Sequence, residues 1–219
     1  MPRPVTQVDL DGLMLPAAFS TSAALDAGLT RPLLDRLVRD GDLERLGRGL
    51  FLRSEYGDGV DLDLVEITVR APSATICLTS ALARHGLTDE IPAAVDIALP
   101  REHWQPAVAA RVAWHRFAED TFTIGRHDLP LTEHSGTAAA GPTAARPKAV
   151  AAVTIGLYSA ERSIIDAFRT RGTTGSDVAI EALRRWLRDP AHQPAQLLAL
   201  CEHWPRTLTA LRTALEILL

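Results

Sequence analysis

Residues 20–53, STSAALDAGLTRPLLDRLVRDGDLERLGRGLFLR, decide the fold. They read as a helix, a tight turn, a second helix and a short β-hairpin, the order of a winged helix-turn-helix. Ser20 or Thr21 can cap a first helix, Ser20 to Ala27, by accepting free backbone N–H groups. Gly28 closes it, because glycine takes the left-handed conformation at low cost. Thr30 is placed to cap the second helix, and Pro32 sits in its first turn, where its missing N–H is not needed. Leu33, Leu34, Leu37 and Val38 recur at helical spacing and face the first helix, leaving Arg31, Arg36 and Arg39 outside. Gly41 stops the helix. Leu43 to Leu46 alternates as a strand, and Gly47-Arg48-Gly49 makes a hairpin tip before Leu50-Phe51-Leu52.

Such a module places its second helix in the DNA major groove, where an arginine can donate two hydrogen bonds to guanine or pair with phosphate. Thr30, Arg31, Arg36, Arg39, Arg45 and Arg48 are therefore the candidate DNA-binding residues. Arg31 and Arg36 lie in the half of the helix that meets base edges, and Arg48 at the tip suits a narrow minor groove. The alternative for each is a solvated surface arginine, some paired with Asp35 or Asp40. Residues 28–53 carry six arginines against Asp35, Asp40, Asp42 and Glu44, a local balance of +2 in a chain of net charge −4. A single copy then binds weakly, and two copies on paired sites gain by linkage.

The 219 residues suffice for one large or two small domains, and 47% apolar with 23% charged residues describes an ordinary globular chain. Cys77 and Cys201 fall in apolar helical contexts without metal-like spacing, so buried free thiols in a reducing compartment are expected. No stretch has signal-peptide or membrane-span character, so the expected location is the cytoplasm, with no membrane partner. Lys148 is the one lysine, which fits coding bias better than mechanism.

Before the module, Val8 to Leu13 reads as a short helix or a lead-in. After it, the turn-rich run Ser54 to Gly59 suggests a boundary: a winged helix-turn-helix domain at 1–57 and an α+β domain at 58–219. In the second part, helices are expected from Asp61 to Pro72, with Leu62, Val65 and Val69 inward, and from Ile76 to His85. Strands are expected at Val95 to Leu99, Val112 to Phe117, Thr121 to Ile124 and Val150 to Tyr158. Residues 135–149, SGTAAAGPTAARPKA, read as a mobile loop. Helices then follow from Ser159 to Phe168, Ser176 to Arg188 and Gln193 to Trp204, with a last one marked by Leu208, Leu211, Leu215 and Leu218. The fold class is α+β, a winged helix followed by a mostly helical domain with a small mixed or antiparallel sheet.

Blocks of this second part resemble the AbiEi-type antitoxins of bacterial toxin–antitoxin systems. The likeness rests on Arg70-Ala71-Pro72, Ile76-Cys77-Leu78, Ser80-Ala81-Leu82, His85-Gly86-Leu87-Thr88, Ile91-Pro92 and Ala98-Leu99-Pro100. It continues in Tyr158-Ser159, Asp166, Asp177-Val178-Ala179 and Glu181-Ala182-Leu183. The loop at 135–149 departs from the pattern and looks like an insertion. The resemblance implies a type IV antitoxin acting in phage resistance that represses its own operon by binding inverted operator repeats. It further implies a cognate nucleotidyltransferase-like toxin, counteracted through the C-terminal domain and without a stable complex.

Two other classes compete. One is a free-standing transcriptional regulator whose C-terminal domain senses a ligand or partner. The other is an enzyme targeted by the winged helix. His103, His115, His127 and His134 accompany Asp96, Glu102, Asp120 and Asp128, but none has the local spacing of a metal site, and no metal or other cofactor is expected. No nucleophile elbow, phosphate loop or Cys–His motif occurs, so no catalytic residue is assigned. Trp104, Trp114, Trp186 and Trp204 read as core or edge of core. Arg184, Arg185 and Arg188 cluster on one expected helix as a possible surface for a partner or DNA, or as a charged solvent face.

Overall fold

The computed structural model describes residues 10, 12–57, 59–132 and 152–219, which fall into two compact units. The first comprises the described parts of Met1–Pro72 and Pro130–Thr154; the second comprises Ser73–Leu129 and Ile155–Leu219. The helix or lead-in expected at Val8 to Leu13 lies largely outside the described residues, Gly12–Met14 forming a turn, and the loop expected at 135–149, with Lys148, lies wholly outside them.

The first unit runs β1 (Ala18–Ser20), α1 (Thr21–Asp26), α2 (Arg31–Asp40), β2 (Leu43–Gly47), β3 (Leu50–Arg53) and, after a single 3-10 turn, α3 (Leu62–Arg70). Ser20 Oγ accepts the Ala23 N–H at 3.2 Å and so opens α1. Gly41, at φ 85°, takes the left-handed conformation that ends α2 and aims its N–H at the carbonyls of Leu37 and Val38. Leu34 and Leu37 pack with Ala24, Phe19 and Phe51, while Leu33 and Val38 cover the edge of that cluster. The hairpin joins a three-stranded antiparallel sheet ordered β1-β3-β2, with Phe19 opposite Phe51. Sequence reading missed β1, whose three residues become a strand through pairing with β3.

The chain does not leave this unit at residue 57. Tyr56 is buried, and with Ala17, Leu52 and Val65 it forms a second cluster joined by Val69, Leu131 and Val153. Helix α3 therefore belongs with the winged helix, and the expected 57/58 boundary moves to after Pro72. Its buried residues are Leu64, Val65, Glu66 and Ile67, whereas Leu62 is exposed. Asp61 caps it by accepting the Leu64 N–H at 3.2 Å.

The second unit is built on a five-stranded mixed sheet ordered β6-β5-β4-β8-β7. Its strands are β4 (Thr75–Ile76), β5 (Val95–Pro100), β6 (Val112–Phe117), β7 (Arg126–Pro130) and β8 (Thr154–Tyr158). Strand β4 pairs antiparallel with β5 and parallel with β8, and β5 pairs parallel with β6. The expected helix at Ile76–His85 is therefore shorter: Thr75 and Ile76 are strand, and α4 is Leu78–Arg84. Thr121 to Ile124, expected as a strand, contributes instead to the single-turn helix α5 (Glu119–Phe122), since Phe122 is buried beside Tyr158 and the backbone turns to reach β7.

Helices α6 (Ala160–Thr174), α7 (Ser176–Trp186), α8 (Pro194–Cys201) and α9 (Pro205–Leu218) complete this unit. Ile164, Ile165, Phe168, Leu183, Trp186, Leu197, Leu211 and Leu215 share one core. The expected stripe of the last helix holds, with Leu211 and Leu215 buried and Leu208 and Leu218 partly so. Trp186 and Trp204 are core, but Trp104 is 77% exposed, contrary to the expectation for all four tryptophans. Both cysteines are buried free thiols. Burial pushes Cys77 well up and Cys201 to about 11, so neither should react with a thiol reagent at pH 8 until the chain unfolds.

A second buried feature ties α6 to α5. Arg162 and Asp166 are fully buried, with Arg162 Nε donating to Asp166 Oδ2 at 2.9 Å. Arg162 Nη1 also donates to the carbonyls of Thr121 (2.8 Å) and Ile124 (2.6 Å), and its guanidinium lies 4.3 Å from the Tyr158 ring centroid and 4.2 Å from that of Trp204. Gly125, at φ 69°, lets the chain pass directly beside Arg162: an added Cβ would lie 2.8 Å from the Arg162 Cβ. Left-handed strain and this overlap together make Gly125→Ala cost about 2–4 kcal/mol, read as a lower urea midpoint with unchanged slope.

Candidate nucleic-acid interface

Helix α2 and the β2–β3 tip carry the candidate residues, and the structure sorts their arginines by neighbour. Arg36 pairs with Asp40 one turn on, Nε to Oδ2 at 3.2 Å. Arg45 reaches from β2 to Asp35 at 2.8 Å, with its guanidinium 5.2 Å from the Phe51 ring centroid. Arg31, Arg39 and Arg48 are exposed and make no ion pair among the described residues. Asp42 and Glu44, also exposed, have no ion-pair partner among the described residues either. Exposed pairs such as Arg36–Asp40 are worth at most about 1 kcal/mol, so Arg36 can change partner cheaply. Arg45, held by both a carboxylate and a ring, is the more committed to the protein.

Thr30 holds the N-cap position in extended backbone, but its side chain makes no cap hydrogen bond, contrary to its expected role. The first turn of α2 therefore keeps N–H groups that no side chain satisfies, beside the Thr30 hydroxyl and the Arg31 guanidinium. A helix start of this kind suits a phosphate oxygen, through both its donors and the positive end of the helix dipole.

The tip is fixed from two sides. The Thr21 N–H donates to the Gly49 carbonyl at 2.8 Å, and Gly49 adopts φ 71°, so of the two tip glycines only Gly49 uses the left-handed region. From α3, Arg70 Nε donates to Glu66 Oε1 at 2.8 Å while its Nη2 donates to the Arg48 carbonyl at 3.2 Å. A Cβ on Gly47 would stand 3.5 Å from Glu66 Oε1 and 3.8 Å from Arg70 Nη2. Glu66 and Arg70 thus hold the backbone that presents Arg48. Sequence reading did not assign them this role, although their i,i+4 spacing is a visible ion-pair signal. Arg70→Met is expected to weaken DNA binding several-fold. The Arg48→Ala/Arg70→Met double variant should lose no more than Arg48→Ala alone, because the two act through one contact; fluorescence anisotropy on one duplex measures all four proteins.

The second arginine group is dispersed. Arg184 pairs with Glu181 at 2.9 Å. Arg185 donates to Glu181 (Nε to Oε1, 2.9 Å) and to Asp89 (Nη1 to Oδ1, 2.9 Å). Its hydrogen bonds hold both carboxyls below their ordinary range. Arg188 lies past the end of α7, exposed, so the three do not form one helical face. Of the histidines, His115 Nε2 bonds to Asp96 Oδ1 at 2.9 Å, His103 to Ser73 at 2.9 Å, and His85 donates to the Tyr158 carbonyl at 2.7 Å. Among the described residues no group of three or more His, Cys, Asp or Glu side chains could hold a metal ion; His134 lies outside them.

Two helices joined by a turn, a three-stranded sheet and a hairpin tip define the first unit as a winged helix-turn-helix with a cationic outer face. Residues 18–54 match the family model described as "Transcriptional regulator, AbiEi antitoxin". That match covers the stretch whose spacing specified the module, agrees with the AbiEi-type resemblance, and sets the segment among antitoxin and transcriptional-regulator sequences. The fold as a whole is similar to the crystal structure of the RV2827C protein from Mycobacterium tuberculosis, with a TM-score of 0.52 and 17% identity over 93% of this chain and 71% of that one. No curated protein matches the chain.

Proposed function

We propose that this protein is a DNA-binding antitoxin of the cytoplasm. In this reading it represses its own operon through the winged helix and counteracts a nucleotidyltransferase-like toxin encoded beside it. What supports it is that Arg31, Arg39 and Arg48, on an AbiEi-type module of local balance +2, are exposed and make no ion pair among the described residues. Arg31 is the base-reading candidate at the start of α2, Arg36 joins it by exchanging Asp40 for DNA, Arg39 and Thr30 touch backbone, and Arg48 enters the minor groove. Arg45 acts as a support for Asp35 and the wing rather than as a first contact. Inverted repeats give two copies one half-site each, which offsets the weak attraction of a single +2 module.

The toxin is a partner by function, without a stable complex, and no catalytic step is assigned to the chain. Co-expression with the neighbouring gene tests the reading: growth arrested by the toxin should be restored by this protein. Restoration should survive substitution of Arg31 and Arg48, because repression and neutralisation reside in different units. A second reading, a free-standing regulator that senses a ligand, is favoured by one observation, a cleft in the second unit lined by Arg169, Arg171 and Arg206. Failure to restore growth leaves that regulator in front. Among the described residues no helix is long and apolar enough to cross a membrane.

A further inference from the structure

The second unit contains a cleft of about 570 Å³ lined by residues of α6 and of the junction into α9. Its wall presents Arg169, Arg171, Arg206 and His203, with Phe168 and Trp204 as apolar floor. Such a concentration of cations is out of keeping with a chain of net charge −4. Arg171 and Arg206 are exposed and make no ion pair among the described residues.

Arg169 differs from a surface arginine in being positioned in advance. Its Nη1 donates to the buried Asp166 carboxylate, and its guanidinium lies 5.3 Å from the Trp204 ring centroid and 5.7 Å from that of Phe117. Asp166 is itself held by Arg162, which stacks on the same Trp204 ring. The Asp166 bond uses one of five donors, and about a third of the Arg169 side chain remains exposed. The cleft is thus lined by a preset guanidinium and two uncompensated ones. Pro205 opens α9 at the same wall, and no side chain caps that helix.

We infer that this cleft binds a phosphate-bearing small molecule, its phosphate oxygens held by Arg169, Arg171 and Arg206. Guanidinium groups pair with phosphate through two parallel, charge-assisted hydrogen bonds, a geometry an isolated lysine does not offer. The volume lies in the range of sites for small ligands, large enough for a nucleotide as well as for a bare phosphate chain. The exposed His203 ring offers a flat surface to a base, while Phe168 and Trp204 are buried and only close the base of the cleft. The site is separate from the winged helix, and its ligand does not depend on that face.

Calorimetric titration of the full chain with ATP, AMP, pyrophosphate and adenosine tests the inference. ATP and pyrophosphate should bind and weaken as salt rises, whereas adenosine should not. Pyrophosphate binding as tightly as ATP assigns the recognition to the phosphates alone; tighter ATP binding assigns a share to the nucleoside. Arg171→Gln and Arg206→Gln, at exposed positions with little effect on folding, should each weaken both by about tenfold, with urea midpoints unchanged. Absence of ATP and pyrophosphate binding at millimolar concentration overturns the inference. So does binding that both substitutions leave intact, or binding abolished instead by Arg31→Ala and Arg48→Ala.

Discussion

Asp166→Ala is expected to lower the unfolding free energy by about 3–5 kcal/mol, the effect of breaking a buried ion pair by removing one partner. Asp166 lies between two guanidiniums, Arg162 fully buried and Arg169 about a third exposed. Burial raises the Asp166 pKa, and the two arginines pull it down. The pair is therefore costly to form yet costly to break: without the carboxylate, Arg162 keeps its charge with only carbonyls and ring faces around it. Arg162→Met in the Asp166→Ala background should recover only part of the loss, because it orphans the Thr121 and Ile124 carbonyls that Arg162 now satisfies. Urea denaturation of the three proteins measures both effects. A loss near zero for Asp166→Ala would show that this cluster does not hold α5 to α6.

The second large effect is on DNA. Arg31→Ala and Arg48→Ala are each expected to weaken binding to the operator by about 1–3 kcal/mol, roughly 5- to 150-fold. The two differ in character. If Arg31 reads a base, its removal relaxes preference at one position of the half-site. A minor-groove or phosphate contact by Arg48 instead lowers affinity across sequences and reduces the salt dependence by about one phosphate. Arg36→Ala should cost less than Arg31→Ala, because Arg36 must first give up Asp40. Arg45→Ala should cost least in affinity; Asp35 would then be left to repel the duplex, an effect that grows at low salt.

The winged helix was legible because its signals are local. A serine cap, Gly28, Pro32, Gly41 and the helical spacing of Leu33, Leu34, Leu37 and Val38 each act within one or two turns of chain, and each lies where the structure uses it. What depended on distant partners was hidden. Residues 18–20 and 75–76 are strands only because other strands run beside them. Tyr56 reads as part of a turn-rich linker, yet it is buried against Val65 and carries α3 into the first unit. The same division runs through the site. Residue type placed arginines on the outer face of α2, but spacing could not say that Asp35 is taken by Arg45 ten residues on. Nor could it say that Asp89 meets Arg185 across 96 residues. Arg188 left the expected helix because α7 ends two residues earlier, at Trp186.

In the proposed function, Arg31 and Arg48 bind the operator of this protein's own gene. The direct test is the affinity of the full chain for the duplex upstream of that gene, against a scrambled duplex of equal length, across a salt series. The upstream duplex should be preferred, affinity should fall steeply with salt, and the Arg31→Ala/Arg48→Ala variant should lose the preference. Equal affinity for both duplexes, or a preference that survives in the double variant, would contradict this assignment.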